Sequence, residues 1–536
     1  MSFRPLAILR GLAVRAFRRL GEERRLVGPE FDAAFYRARY PDVAALGGDP
    51  LDHFLTHGWR EGRDPNPRFS VADYLDSHPD VRATGANPFV HYLRHGRSEN
   101  RPTADNLGFR HTTIRDMQPI EARVAAALAS EAGIRHGSAA QLAAALARAG
   151  KGGLHVTFSH DDYRTRLGGL QICIQQEAAA MARLGRSHLN LHPVGRWPTL
   201  RPEGEAAPLR VLLDEQDLGV FEPAALATAL AKLTVPAGEG SFAIHSLLGH
   251  AADVTLDILA ALRLSTGFYW LHDYASLCAG FNLLRDDVED CGGPPPGSAA
   301  CAICVFGPAR ERHLEAHRRL FERLDLTVVS PAAPTLETWR AAWPFGEARA
   351  VVHPHARLEP RGDASTPAPG RPLNVAFVGH AAGHKGWPVF RELALTFAAD
   401  DRYRFLHLGD TPEPGLSIDF HPVRVSARDP RAMTGALERL EVDVVLFWPL
   451  WRETFSFAAH EAVAAGCALI AGPDSGNVAA LARTDDFGWV LPDEAALSEA
   501  FAKGTVAGLS RASRRPTLYD LVLSDMTADL IGARTT

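Results

Sequence analysis

From Leu154 onward, short apolar runs alternate with helical stretches, and no other feature of this chain narrows its fold as far. LHVTFS, LRVLLD, SFAIHSLL and GFYWLH are each a strand's length and nearly continuous in apolar side chains, with helix-period segments at 169–184 and 253–263 between them. A strand that reads as an unbroken apolar run is covered on both faces, which is the condition of a parallel sheet whose connections are helices. The rhythm restarts at PLNVAFVGH and runs through YRFLHLG, VDVVLFWP and CALIAG. Between the two stretches, residues 359–372 (EPRGDASTPAPGRP) are rich in Pro, Gly and small polar residues and read as a linker.

The expected fold class is therefore α/β, with two Rossmann-like domains at 151–358 and 373–510 facing a cleft. A helical tail follows over 511–536. At 536 residues the chain is too long for one core, since single cores stop growing near about 250–300 residues. Ahead of the sheets lies a duplication offset by 38 positions, from Phe31 to Phe69. Tyr36, Pro41, Asp42, Gly47, His53, His57, Gly58 and Arg63 recur as Tyr74, Pro79, Asp80, Gly85, His91, His95, Gly96 and Arg101. Each unit reads as short helices opened by Pro, so 29–102 is a small α-helical repeat module and 103–150 an Ala-rich helical connector. His53 with His57, and His91 with His95, have metal-compatible spacing, but histidine beside a helix-ending glycine is better explained by the helix dipole, and no ligand role is assigned.

Composition excludes several classes. Net charge is −6 with 22% charged residues, which gives no electrostatic reason for a nucleic-acid partner. No apolar run approaches the roughly 20 residues of a membrane span, and the N-terminus lacks a signal peptide's apolar core, so a cytoplasmic location is expected. Residues 1–28 carry a basic amphipathic stripe (FRPLAILRGLAVRAFRRL) that suits either the inner face of the cell membrane or the protein's own surface.

In open parallel sheets, ligands bind beyond the carboxyl ends of the strands. After NVAFVG comes Gly379-His380-Ala-Ala-Gly-His-Lys385-Gly386, a loop in which a lysine and backbone N–H groups can meet a diphosphate. After VDVVLFWP comes Glu453-Thr-Phe-Ser-Phe-Ala-Ala-His-Glu461, which places one carboxylate before a helix and another two turns inside it. Arg166-Leu167-Gly168-Gly169 opens a helix after the first strand, and His272 in WLHDY stands at a strand end.

The segment ETFSFAAHEAVAAG resembles the E-x7-E motif of retaining GT-B glycosyltransferases, the family 4-like group related to sucrose and mannosyl synthases. The resemblance implies that Glu453 accepts hydrogen bonds from donor-sugar hydroxyls, that Phe455, Ser456 and Phe457 line the sugar and phosphate pocket, and that Glu461 binds the ribose. It further implies that Lys385 offsets the diphosphate, that Gly169 and Gly379 belong to phosphate-facing loops, and that His272 contacts the sugar. The family usually has an arginine where this chain has His380. FDAAFYRARYPDVAALGGDPLDHFLTHGWREGR likewise resembles repeats found beside bacterial polysaccharide glycosyltransferases. The implied function is transfer of a hexose or deoxyhexose from a nucleotide-diphosphate sugar to a surface polysaccharide or other glycan, with no cofactor needed for catalysis. Residues 1–102 would contact a membrane or protein partner. The competing readings are a catalytically degenerate GT-B scaffold and a nucleotide-sugar epimerase. Cys278, Cys291, Cys301 and Cys304 cluster in sequence and form a candidate structural zinc set.

Overall fold

A computed structural model describes residues 18–105, 107–147, 153–166, 168–205, 207–236, 238–365, 367–368, 370–413, 418–426, 429–484 and 487–532. Most of the N-terminal basic stripe, through residue 17, lies outside the described residues, as does Leu167. The chain is α/β with parallel sheets, preceded by the helical repeats. It divides into two compact units: the described residues through Arg115 with Gly370–Ala382 and Trp387–Val423, and the described residues of 116–368, 383–386 and 424–532.

In the first unit both repeats fold alike. Asp32 and Ser70 cap the first helix of each repeat, Pro41 and Pro79 open the second, and Asp49 and Asn87 cap the third. The third helix widens into a π turn at Phe54–Gly58 and Tyr92–Gly96. The Tyr36 hydroxyl lies 3.0 Å from His53 Nδ1, and Tyr74 repeats this with His91 at 3.0 Å. A Cβ on Gly58 would lie 2.0 Å from the Tyr36 hydroxyl oxygen, and on Gly96 2.3 Å from that of Tyr74, so the duplicated glycines make room for the duplicated tyrosines. Arg63 grips Asp42 bidentately, and Arg101 bonds Asp80. One apolar core, including Tyr36, Phe54, Phe69, Tyr74 and Phe89, runs through both repeats. The same unit holds the parallel strands Leu373–Val378, Tyr403–Gly409 and Asp419–Pro422, and helix Ala33–Arg39 lies against helix Trp387–Thr396.

In the second unit an eight-stranded sheet comprises β1 (Leu154–Phe158), β2 (Ser187–Pro193), β3 (Leu209–Leu213), β4 (Gln216–Phe221), β5 (Gly240–Ile244), β6 (Thr266–Trp270), β7 (Asp325–Ser330) and β8 (Ala350–Val352). Their spatial order is β8-β7-β6-β5-β1-β2-β3-β4, with only β3 and β4 antiparallel to their neighbours. Val156 of β1 pairs with Leu189 on one side and Phe242 on the other, and β1 is buried throughout. Because β1 lies between β2 and β5, the strand order reverses at β1, and in open parallel sheets ligands bind beyond the carboxyl ends of the strands at such a switch point. Helix α1 (Gly169–Arg183) begins at that end. Helix α2 (Phe457–Ala464) follows the strand Val444–Phe447, which runs parallel to Ala468–Ala471.

Two expectations need correction. The linker begins inside a strand, because Ala356–Asp363 pairs antiparallel with Thr517–Leu523. Pro360 and Gly362 are accommodated by a register shift between them, where a two-stranded ribbon tolerates a missing donor. The same ribbon makes the C-terminal tail strand as well as helix. No helix among the described residues is long and apolar enough to cross a membrane.

Candidate active site

The loop from Trp448 to Ser456 is held from several sides, all within the second unit. Asn477 donates its backbone N–H to the Glu453 carbonyl (2.8 Å) and its side-chain amide to the Phe455 carbonyl (3.0 Å). Thr335 Oγ1 donates to the Thr454 carbonyl (2.8 Å), and Thr454 Oγ1 donates to the carbonyl of His272 (2.8 Å). Arg452 forks onto Asp290 at 2.8–3.1 Å. Ser456 adopts φ 67°, ψ 88°, a left-handed conformation uncommon for serine, and its hydroxyl caps α2 at the Ala459 N–H. Such a conformation persists only where the surroundings over-determine it, which these bonds do.

The lysine loop is fixed to the same segment. Leu450 N–H donates to the His384 carbonyl at 2.8 Å. Gly386 has φ +83°, and a Cβ there would lie 2.0 Å from the Trp448 carbonyl oxygen, so glycine is required beside Lys385. Lys385 Nζ then reaches Glu453 Oε1 at 3.7 Å, with the lysine half-exposed and the glutamate nearly buried. Glu461, inside α2, is buried. Burial pushes its carboxyl up to about 8, so it holds a proton at neutral pH.

His272 stands just past β6 and connects to a buried polar chain that spacing in the sequence did not reveal. Its Nε2 lies 2.8 Å from His245 Nδ1, and His245 Nε2 lies 2.9 Å from Glu177 Oε1. Glu177, on α1, is wholly buried and also accepts from Thr157 Oγ1 and the Thr527 N–H, with His155 Nε2 at 3.0 Å. Burial acts to raise its carboxyl, and the imidazoles of His245 and His155 more than reverse this, holding it well below the usual range. Desolvation, with His355 and His245 alongside, keeps the His272 ring well below its ordinary value and thus neutral. His272 stacks on His355 (centroids 4.9 Å), which in turn contacts Phe455 (5.1 Å) and Phe457 (5.9 Å). Gly169 lies against Phe457, where a Cβ would stand 3.3 Å from the ring.

Lys385, Glu453, Phe455, Phe457, His272 and Gly169 are therefore linked by direct contacts or through shared neighbours, and Ser456 and Glu461 belong to the same segment. Gly379 and His380 belong to the first unit, where His380 Nδ1 lies 3.6 Å from Asp410. Glu177 had a sequence signal: it occupies the apolar stripe Leu170, Cys173, Ile174, Ala178 and Met181 of α1, where an acid has no place unless paired.

Cys278, Cys291, Cys301 and Cys304 line one cavity with Arg310 and Phe306. Arg310 Nη1 lies 2.6 Å from Cys301 Sγ, a cation where an ion would have to approach. Among the described residues, the three-ligand group close enough to share an ion is a different one, Cys173, His272 and His355.

Neither the family models nor the curated proteins give a match to this chain. Among solved structures, Anabaena Alr3699/HepE in complex with UDP-glucose is 14% identical, with 72% of this chain and 99% of that one covered and a TM-score of 0.42. The pneumococcal O-GlcNAc transferase GtfA in complex with UDP and GlcNAc is 10% identical, with 72% and 96% covered and a TM-score of 0.44. WaaG, a glycosyltransferase involved in lipopolysaccharide biosynthesis, is 11% identical, with 70% and 99% covered and a TM-score of 0.38.

Proposed function

We propose that this chain is a retaining GT-B glycosyltransferase that moves a hexose or deoxyhexose from a nucleotide-diphosphate sugar to a glycan acceptor such as a bacterial surface polysaccharide. The observation that carries the reading is the Lys385–Glu453 pair on a loop whose next residue, Thr454, bonds the His272 carbonyl, so that a cation, a carboxylate and an imidazole from three distant segments share one anchored neighbourhood. A sugar diphosphate needs those three groups together: positive charge for the departing phosphate, and acceptors and donors for the ring hydroxyls.

In this reading the sugar C1–O bond to phosphate breaks and the diphosphate leaves. Lys385 and the N-terminus of α2 offset its charge. The acceptor hydroxyl forms the new bond to C1 on the face the phosphate leaves, and its proton passes to the departing phosphate oxygen, which accounts for retention without an enzyme nucleophile. Glu453 orients the sugar by accepting from its hydroxyls, His272 contacts the same sugar, and Phe455 and Phe457 wall the pocket. Glu461 accepts from the ribose hydroxyls, and Gly169 faces phosphate. Residues 1–102 act as a docking module for a membrane or protein partner.

Three variants test the reading on the purified full chain with a panel of nucleotide sugars. Lys385→Ala should slow transfer roughly 100–1,000-fold, the loss typical of removing one preorganised charge stabiliser. Glu453→Gln should lower turnover, and Glu461→Ala, which removes the accepting oxygens, should weaken nucleotide affinity. A wild-type chain that binds nucleotide but transfers no sugar to any acceptor would favour the scaffold reading.

A further inference from the structure

We propose that Cys173, His272 and His355 hold one soft divalent transition-metal ion of the zinc class, in a three-ligand site with an open fourth position. One ligand atom from each of the three residues lies within 4.8 Å of the others, although they come from α1, the end of β6 and the approach to the strand Ala356–Asp363. One thiol and two imidazoles form a set that selects zinc-like ions over magnesium or calcium, which prefer oxygen. Cys173 and His355 are 1% and 3% exposed, and His355 Nδ1 is a buried nitrogen with no hydrogen-bond partner among the described residues. An unmet lone pair or N–H in such a place is costly, and ligation would satisfy it.

The surroundings also fix which nitrogen His272 offers. Glu177 is a carboxylate and accepts only, so His245 Nε2 carries the proton toward it, and in the neutral form of that ring Nδ1 carries the lone pair. That lone pair accepts from His272 Nε2–H at 2.8 Å, which leaves the lone pair of His272 on Nδ1. A carboxylate that sets the tautomer of a ligand through its far ring nitrogen is the usual outer support of a metal-bound histidine, here relayed through one more imidazole. The four clustered cysteines lack the equivalent arrangement, since Arg310 already occupies Cys301. The inference rests on these contacts and shares His272 with the proposed sugar site, so ion binding is read apart from glycosyl transfer.

The test uses Co²⁺ as probe on the full chain after chelator treatment. The expected result is one Co²⁺ per chain with a thiolate-to-cobalt charge-transfer band in the near ultraviolet. That band should disappear in Cys173→Ser and persist in Cys301→Ser combined with Cys304→Ser. Because a core cysteine substitution can impair folding, His355→Gln provides a second variant: it should keep the circular dichroism of the parent and weaken Co²⁺ binding at least tenfold. A folded wild-type chain that gives no thiolate–cobalt band overturns the proposal. A band that survives Cys173→Ser and is lost with Cys301 and Cys304 also overturns it and moves the ion to the four-cysteine cavity.

Discussion

Replacing Glu461 by glutamine should change how stability depends on pH, in a direction and size fixed by the burial of that one carboxyl. In the folded chain its pKa is about 8, against an ordinary value of 4.5. The folded state therefore keeps this proton over a range in which the unfolded chain has lost it. Stability is undiminished below pH 4.5, falls as pH rises from 4.5 to about 8, and is flat beyond, because above that range the folded state must bury a charge. At about 1.4 kcal/mol per pH unit the loss accumulates to about 5 kcal/mol. Glutamine keeps the shape of the protonated acid and cannot ionise. Glu461→Gln should thus match the parent at pH 4.5 and exceed it by up to about 5 kcal/mol at pH 9. Urea unfolding of both proteins at pH 4.5, 7 and 9 reads the difference, with all other titrating groups common to both. Parallel profiles, with the same gap at every pH, would show that the Glu461 carboxyl is ionised and solvated in the folded chain.

Other outcomes follow from contacts described above. Glu177→Gln leaves two imidazoles without their buried carboxylate and should cost about 3–5 kcal/mol in urea unfolding, and a loss below 1 kcal/mol would place the charge elsewhere. Gly386→Ala forces a Cβ onto the Trp448 carbonyl and should cost about 1–3 kcal/mol in urea unfolding; unchanged stability would mean the loop is not held there. Gly58→Ala should destabilise the repeats through the Tyr36 hydroxyl, and Tyr36→Phe should recover part of that loss in a double-mutant cycle; strictly additive effects would contradict the close approach.

What could be read in the sequence was whatever depends on neighbours along the chain. The strand rhythm of LHVTFS and NVAFVG, the proline-opened helices of the repeats and the loop–helix register of ETFSFAAHE are local, and periodicity reports them. The contacts that assemble the site are not. Thr335, Asn477 and His355 bond or stack on the 453–457 loop from far away in sequence, and nothing in their local spacing marks them. The strand at Ala356–Asp363 was hidden because Pro360 and Gly362 read as part of a linker, whereas a partner at Thr517–Leu523 pairs with that segment. Cysteine spacing is local in the same way: the four thiols close in sequence line one cavity, whereas among the described residues the group with metal-sharing distances combines residues nearly two hundred positions apart, Cys173 and His355.

The repeats differ from the rest of the chain in how their contacts are distributed. The tyrosine–histidine–glycine arrangement closes inside each copy, whereas the copies meet through apolar rings such as Phe54 and Phe89, 6.1 Å apart. An array built this way grows and shrinks in whole copies, because inserting one adds a self-locked block and one more ring-to-ring joint, while cutting within a copy breaks its lock. Its reach is a variable that evolution can lengthen in 38-residue steps, from Phe31 to Phe69 and onward, without redesigning any helix.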